Sequence, residues 1–138
     1  MNPIVIPLIL IMSLAIVLYT IGTFTGIKDK SFTKKHVILF HSAVLLTIIG
    51  LFYMSGISSK ISYADVSYKM MNIHTGLGYL AVIILIIHAI IVTIMKRKLS
   101  NSRTSLGKGF NTFSFILWLI CIILYLITFY IGIMAGMN

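Results

Sequence analysis

Four histidines are the residues of this sequence whose chemistry has to be explained: His36, His41, His74 and His88. An imidazole takes up a proton or a metal ion close to neutral pH, and all four lie inside long uncharged stretches rather than in polar connections. In an apolar medium that placement is costly and marks cofactor or proton chemistry by default. Other reactive groups are sparse. Asp29 and Asp65 are the only acids and both fall between the apolar stretches, so neither a carboxylate relay nor a carboxylate-assisted hydrolase is available within them. The chain carries no nucleophilic triad, phosphate-binding loop or dense zinc-type cluster. Its single cysteine, Cys121, excludes an internal disulfide and reads as a small buried hydrophobe.

The elements that position the histidines follow from where charge is missing. Only 9% of the 138 residues are charged, where a soluble domain carries about 25%, and the charges leave four uncharged windows, Pro3 to Ile27, His36 to Ser59, Met70 to Met95 and Gly109 to Asn138. Each exceeds the roughly 20 apolar residues that cross a bilayer. None alternates with period two, so each is expected to be a helix rather than a barrel strand. The expectation is an all-α integral membrane protein, a single domain over residues 1–138, with helices at about 3–27, 34–57, 70–96 and 110–136 forming a four-helix bundle. The first window lacks a basic leader and is too long for a signal peptide, so it reads as a retained span.

Basic residues orient the bundle. Lys28, Lys30, Lys34 and Lys35 precede the second window, and Lys96, Arg97, Lys98, Arg103 and Lys108 precede the fourth, whereas only Lys60 and Lys69 separate the second from the third. Under the positive-inside rule the first and third loops are cytoplasmic and both termini face outward. The excess of nine positive charges sits at helix ends, where anionic lipid is the expected partner and nucleic acid is not. A multi-pass protein of a bacterial cytoplasmic membrane is the implied location.

Register then pairs two of the histidines. The second and third helices are expected to run antiparallel, and His41 and His88 each lie about 6 to 7 Å from the midplane on the cytoplasmic side, taking 1.5 Å per residue. Two imidazoles at one depth on neighbouring helices suit the two axial positions of a b-type haem iron, so His41 and His88 are the expected haem, and hence metal, ligands. His74 lies fourteen residues before His88 and within about 40° of the same direction, on a face that includes Gly78, Ala81 and Leu85. It is the candidate for a second haem or an alternative ligand, with Met54 or Met134 as non-histidine partners. The direction of His41 continues through Leu45, Ile48, Phe52 and Ser55, with no second histidine. His36, about 140° around the helix from His41, replaces it if the helix is rotated. Lys34, Lys35, Lys96, Arg97 and Lys98 lie where propionates would need cations, while Trp118 and Tyr125 read first as packing and interfacial residues.

The run from Lys35-His36 through Gly50 to Met54-Ser55, the segment Asn72-Ile73-His74 with Gly76 and Ala81 ahead of His88-Ala89, and Phe113-Ser114 through Trp118 to Gly132 together resemble the heme-sensing membrane protein A family of small four-helix bacterial membrane proteins. The resemblance covers most of the chain, and His74 and His88 are the positions it carries over best. It implies haem binding coupled to protection from haem toxicity and oxidative stress, under a haem-responsive regulator.

Three classes of function follow. The first is a haem-holding protein with one haem b or, if His74 is used, two. The second is a quinol-linked electron-transfer cytochrome, which would need cofactors across the membrane. The third is a haem-free transporter or helper subunit with histidine proton relays. No catalytic residue is assigned, and any activity would be haem-dependent redox chemistry. Self-association and a redox partner are left open by the sequence.

Overall fold

The computed structural model describes residues 6–58, 68–100 and 108–136. These residues form α1 (Ile6–Lys28), α2 (Lys34–Ser58), α3 (Tyr68–Ser100) and α4 (Lys108–Gly136), with no strand among them. Each helix contains a segment long and apolar enough to cross a membrane. With 23 to 33 residues apiece, they extend about 35 to 50 Å at 1.5 Å per residue, past the roughly 30 Å of hydrocarbon. The expected start of the first helix at residue 3, both termini, and the segments holding Lys60, Asp65 and Arg103 lie outside the described residues.

Sequence neighbours pack on one another around the bundle: α1 on α2, α2 on α3, α3 on α4, and α4 back on α1. Short connections between antiparallel helices produce this arrangement. The α3 helix continues beyond its apolar window through Lys96, Arg97 and Lys98, because basic side chains are good helix formers and favour the negative end of the helix dipole. The apolar window therefore marks the membrane-length stretch rather than the helix end.

No helix offers a polar face. On α1 the large residues Leu10, Leu14, Val17, Ile21 and Phe24 are exposed in one stripe, while Ala15, Tyr19, Gly22, Thr23 and Gly26 turn inward. Helices that are apolar all round belong in lipid or in a large core, and here the smaller residues mark the contacts between helices, as is usual in membrane bundles. Gly22 shows why: a Cβ there would stand 3.1 Å from the Phe40 ring.

The α1–α2 turn is tied at both sides. Ser31 and Lys30 donate their backbone N–H groups to the carbonyls of Gly26 and Ile27, closing α1 with Lys30 in the left-handed region at φ 49°. Phe32 then folds back on Gly26, where any Cβ would overlap its ring. Thr33 caps α2, and His36 reaches back so that its Nδ1 accepts the Thr33 backbone N–H at 2.9 Å and lies 3.0 Å from the Thr33 hydroxyl. This is the side-chain half of a capping box, with histidine in the place usually held by Glu or Gln.

Candidate functional site

The polar centre of the bundle is built around His88, which is fully buried on α3. Its Nδ1 lies 2.7 Å from the Tyr19 hydroxyl of α1, and its Nε2 lies 2.7 Å from the Ser114 hydroxyl of α4. Phe40 of α2 packs edge-on against the ring at 4.8 Å and against Tyr19 at 5.5 Å. One layer therefore takes a residue from each helix: Tyr19, Phe40, His88 and Ser114. A neutral imidazole has one N–H and one lone pair, and two hydroxyls, each able to give or receive a proton, match it in either tautomer. This is how a polar ring is accommodated in an interior otherwise made of Ala43, Leu85, Ala89, Val92 and Cys121.

One helical turn along each chain toward the basic end, where Lys28, Lys34, Lys35, Lys96, Arg97 and Lys98 lie, brings the next layer. Thr23 follows Tyr19 by four residues, His36 precedes Phe40 by four, Val92 follows His88 by four and Asn111 precedes Ser114 by three. Thr23, His36 and Val92 are each at most 1% exposed. Phe32 and Phe110 pack against one another at 5.6 Å beside this layer, with Phe32 also against His36 at 5.7 Å. The His36 Nε2 lies 3.6 Å from the exposed Asp29 carboxylate, too long for a hydrogen bond.

The structure separates the four histidines. His88 and His36 face the interior, His74 is half-buried, and His41 is exposed. The His41 Nδ1 donates to the Val37 carbonyl of its own helix at 2.8 Å, and the direction it shares with Leu45 and Phe52 is the outer surface, where those two residues are 59% and 76% exposed. His41 and His88 therefore do not face one another in this arrangement, and the depth they share does not bring their rings together. His74 packs at the opposite end, its Cε1 3.4 Å from where a Cβ on Gly132 would lie, and its buried Nδ1 has no hydrogen-bond partner. Met134, offered as its partner, is 46% exposed.

As donors to a haem iron, these residues divide. His88 suits the role in one respect: a ligating histidine is held at its other nitrogen by an outer partner, and Tyr19 is placed to do that at Nδ1. Its Nε2 is opposed by a neutral hydroxyl rather than a charged or backbone group. The pair His41 and His88 does not fit. The rings that touch His88 are those of Tyr19 and Phe40, not a second imidazole. Among the described residues no three His, Cys, Asp or Glu side chains come together in a cluster able to hold a metal ion directly.

Tyr19 and Ser114 are the partners that reading for histidines alone passes over. The signal for Tyr19 is its place in the small-residue stripe of α1, Ala15, Gly22 and Gly26, since an aromatic hydroxyl on a packing face needs a buried partner. Trp118 is half-buried and donates its Nε1–H to the Thr20 hydroxyl at 3.0 Å, joining α4 to α1. Tyr125 lies 3.5 Å from the Ser13 hydroxyl on the same seam.

The chain matches no protein-family model, and no curated protein or solved structure is significantly similar to it.

Proposed function

We propose that the chain is a multi-pass membrane protein of the bacterial cytoplasmic membrane that holds b-type haem on His88, as part of protection against haem toxicity and oxidative stress. The observation that carries this reading is His88 itself, an ionisable ring fully buried in a membrane-length helix and held at Nδ1 by Tyr19. Such residues are costly and are kept for function. The resemblance to the heme-sensing membrane protein A family supports the same reading, because His88 is one of the two positions it carries over best. The many basic side chains around the α1–α2 turn and at the end of α3 support an orientation with that end of the bundle toward the cytoplasm.

Bound haem would supply one-electron chemistry at its iron. The chain's own contribution is to orient and to exclude. Tyr19 fixes the ring direction, Ser114 holds the Nε2 that would have to be freed for a metal to be held there, and Phe40, Leu85 and Ala89 exclude bulk water. Of the two histidines that face the interior, only His88 is bonded from two other helices, so a haem held there would rest on one histidine of this chain. That favours protective chemistry over a quinol-linked cytochrome, which needs cofactors across the membrane.

The test is the absorption spectrum of detergent-purified protein, oxidised and reduced, with haem counted per chain. A high-spin spectrum lost in His88→Ala and retained in His41→Ala and His36→Ala is the expected result. A low-spin spectrum lost in either of the latter two would put that α2 histidine on the iron. Absence of a Soret band after haem is added would end the reading.

One observation favours a second reading. Both ring nitrogens of His88 are already hydrogen-bonded, which suits a haem-free subunit passing protons along Tyr19, His88 and Ser114. Purified protein without haem, combined with proton flux into liposomes that His88→Leu abolishes, would select it.

A further inference from the structure

Five threonines bear on how this bundle treats hydroxyls in its helices. Thr25, Thr47, Thr93 and Thr128 each donate to the carbonyl four residues earlier, the usual way to satisfy a hydroxyl inside an apolar helix. Thr23 does not. It is fully buried, and its Oγ1 has no hydrogen-bond partner. The buried Oδ1 of Asn111 and Nε2 of His36 are in the same condition. These three atoms come from three helices, and by helical register they fall in the one layer next to His88.

The chemistry of their donors and acceptors is complementary. A backbone N–H can only donate, so the Nδ1 that receives it from Thr33 carries no proton, and the neutral His36 ring presents Nε2–H as a donor. Asn111 offers an acceptor and Thr23 offers either. Buried polar atoms in proteins are almost all partnered, and an unpartnered one in an apolar interior loses the hydration it had in the unfolded chain without replacement. Three in one layer, with two to four partners being what an internal water needs, identify the occupant by chemistry: a small molecule that accepts from one side chain and donates to another.

We propose that Thr23, His36 and Asn111 form a buried water site one helical turn from His88 toward the basic end. Phe32 and Phe110 close it from the surface, and Val92 forms its apolar wall. Water held there lies between Asp29, which is 53% exposed and 3.6 Å from the His36 Nε2, and Ser114, one turn further in. The inference stands apart from the haem reading, since it uses none of the atoms assigned to iron.

Hydroxyl-radical footprinting of the intact protein in liposomes, read by mass spectrometry, tests it, because radicals made from an ordered internal water label side chains beside it however deeply they are buried. Phe32 and Val92 should be labelled well above Leu85, which is comparably buried but lies away from the layer. The double variant Thr23→Val, Asn111→Leu should bring their labelling down to that of Leu85. Equal labelling of these residues and Leu85 in the unaltered protein overturns the proposal without need of any variant, and so does labelling that persists in a folded double variant. A Soret band without the footprint retains the haem reading and removes the water site. The footprint without a Soret band does the reverse.

Discussion

The two ends of α3 carry the same residue type on the same face and treat it differently. His88 is enclosed by all four helices and bonded at both nitrogens, whereas His74, fourteen residues earlier, is half-buried with its buried Nδ1 unpartnered. The difference comes from the neighbours. Near the basic end, α1 and α4 contribute Tyr19 and Ser114 where Phe40 brings α2 close. At the other end α3 presents Gly76 and Gly78, where an added Cβ would meet nothing within 4 Å. A histidine in a span thus becomes a built site only when the helices around it supply hydroxyls at its depth.

The largest test of that contrast is His88→Ala. It should destabilise the bundle by about 2–5 kcal/mol, from the cavity and from two hydroxyls left without a partner, and should abolish haem binding. Equilibrium unfolding in detergent and the absorption spectrum read the two effects. Next is Gly26→Val, which forces the Phe32 ring off α1 at a cost of about 1–3 kcal/mol. A melting temperature unchanged by that variant would contradict the packing of the basic end. Tyr19→Phe keeps the ring contacts and removes the hydroxyl's bonds to His88 and Cys121, for about 0.5–1.5 kcal/mol per bond, toward the lower value if they follow the average of about 0.6 kcal/mol for such bonds between membrane helices. It should also broaden or shift the haem spectrum without eliminating it. His74→Leu should be within about 1 kcal/mol of neutral, because removal of the unpartnered Nδ1 offsets loss of the ring's hydrogen bond to the Thr128 backbone. A halving of the haem per chain in that variant would instead give the far end a site of its own. The smallest change is expected for His41→Leu, which should alter neither stability nor spectrum.

The number of helices and their membrane-length stretches were legible because charges are scarce and fall near helix ends. The position of each histidine along its helix was legible for the same reason. Rotation was not. On α2 every direction is apolar, so a hydrophobic stripe pointing from His41 through Leu45 to Phe52 looks as inward as any other, and it proves to be the outer surface. The residues that decide the rotation are small: Ala43, Thr47 and Gly50 follow Phe40 at helical spacing and are all buried, and His36 continues that stripe. In a medium as apolar as the side chains, close approach rather than hydrophobicity selects the contact face. The hydroxyl partners of His88 were hidden by a related limit, since Tyr19 and Ser114 are 69 and 26 residues away along the chain and only the closure of α1 on α4 brings them in.

The chain has a single tryptophan, and Trp118 stands on the α1–α4 seam, where its indole is bonded to Thr20 and packed on Phe24 at 4.8 Å. Joining the first helix to the last, this seam is the one that no short connection between consecutive helices holds shut. Its fluorescence is therefore an optical gauge already built into the protein: separation of the two helices would remove the Thr20 contact and change the emission of one identified residue, with no label attached.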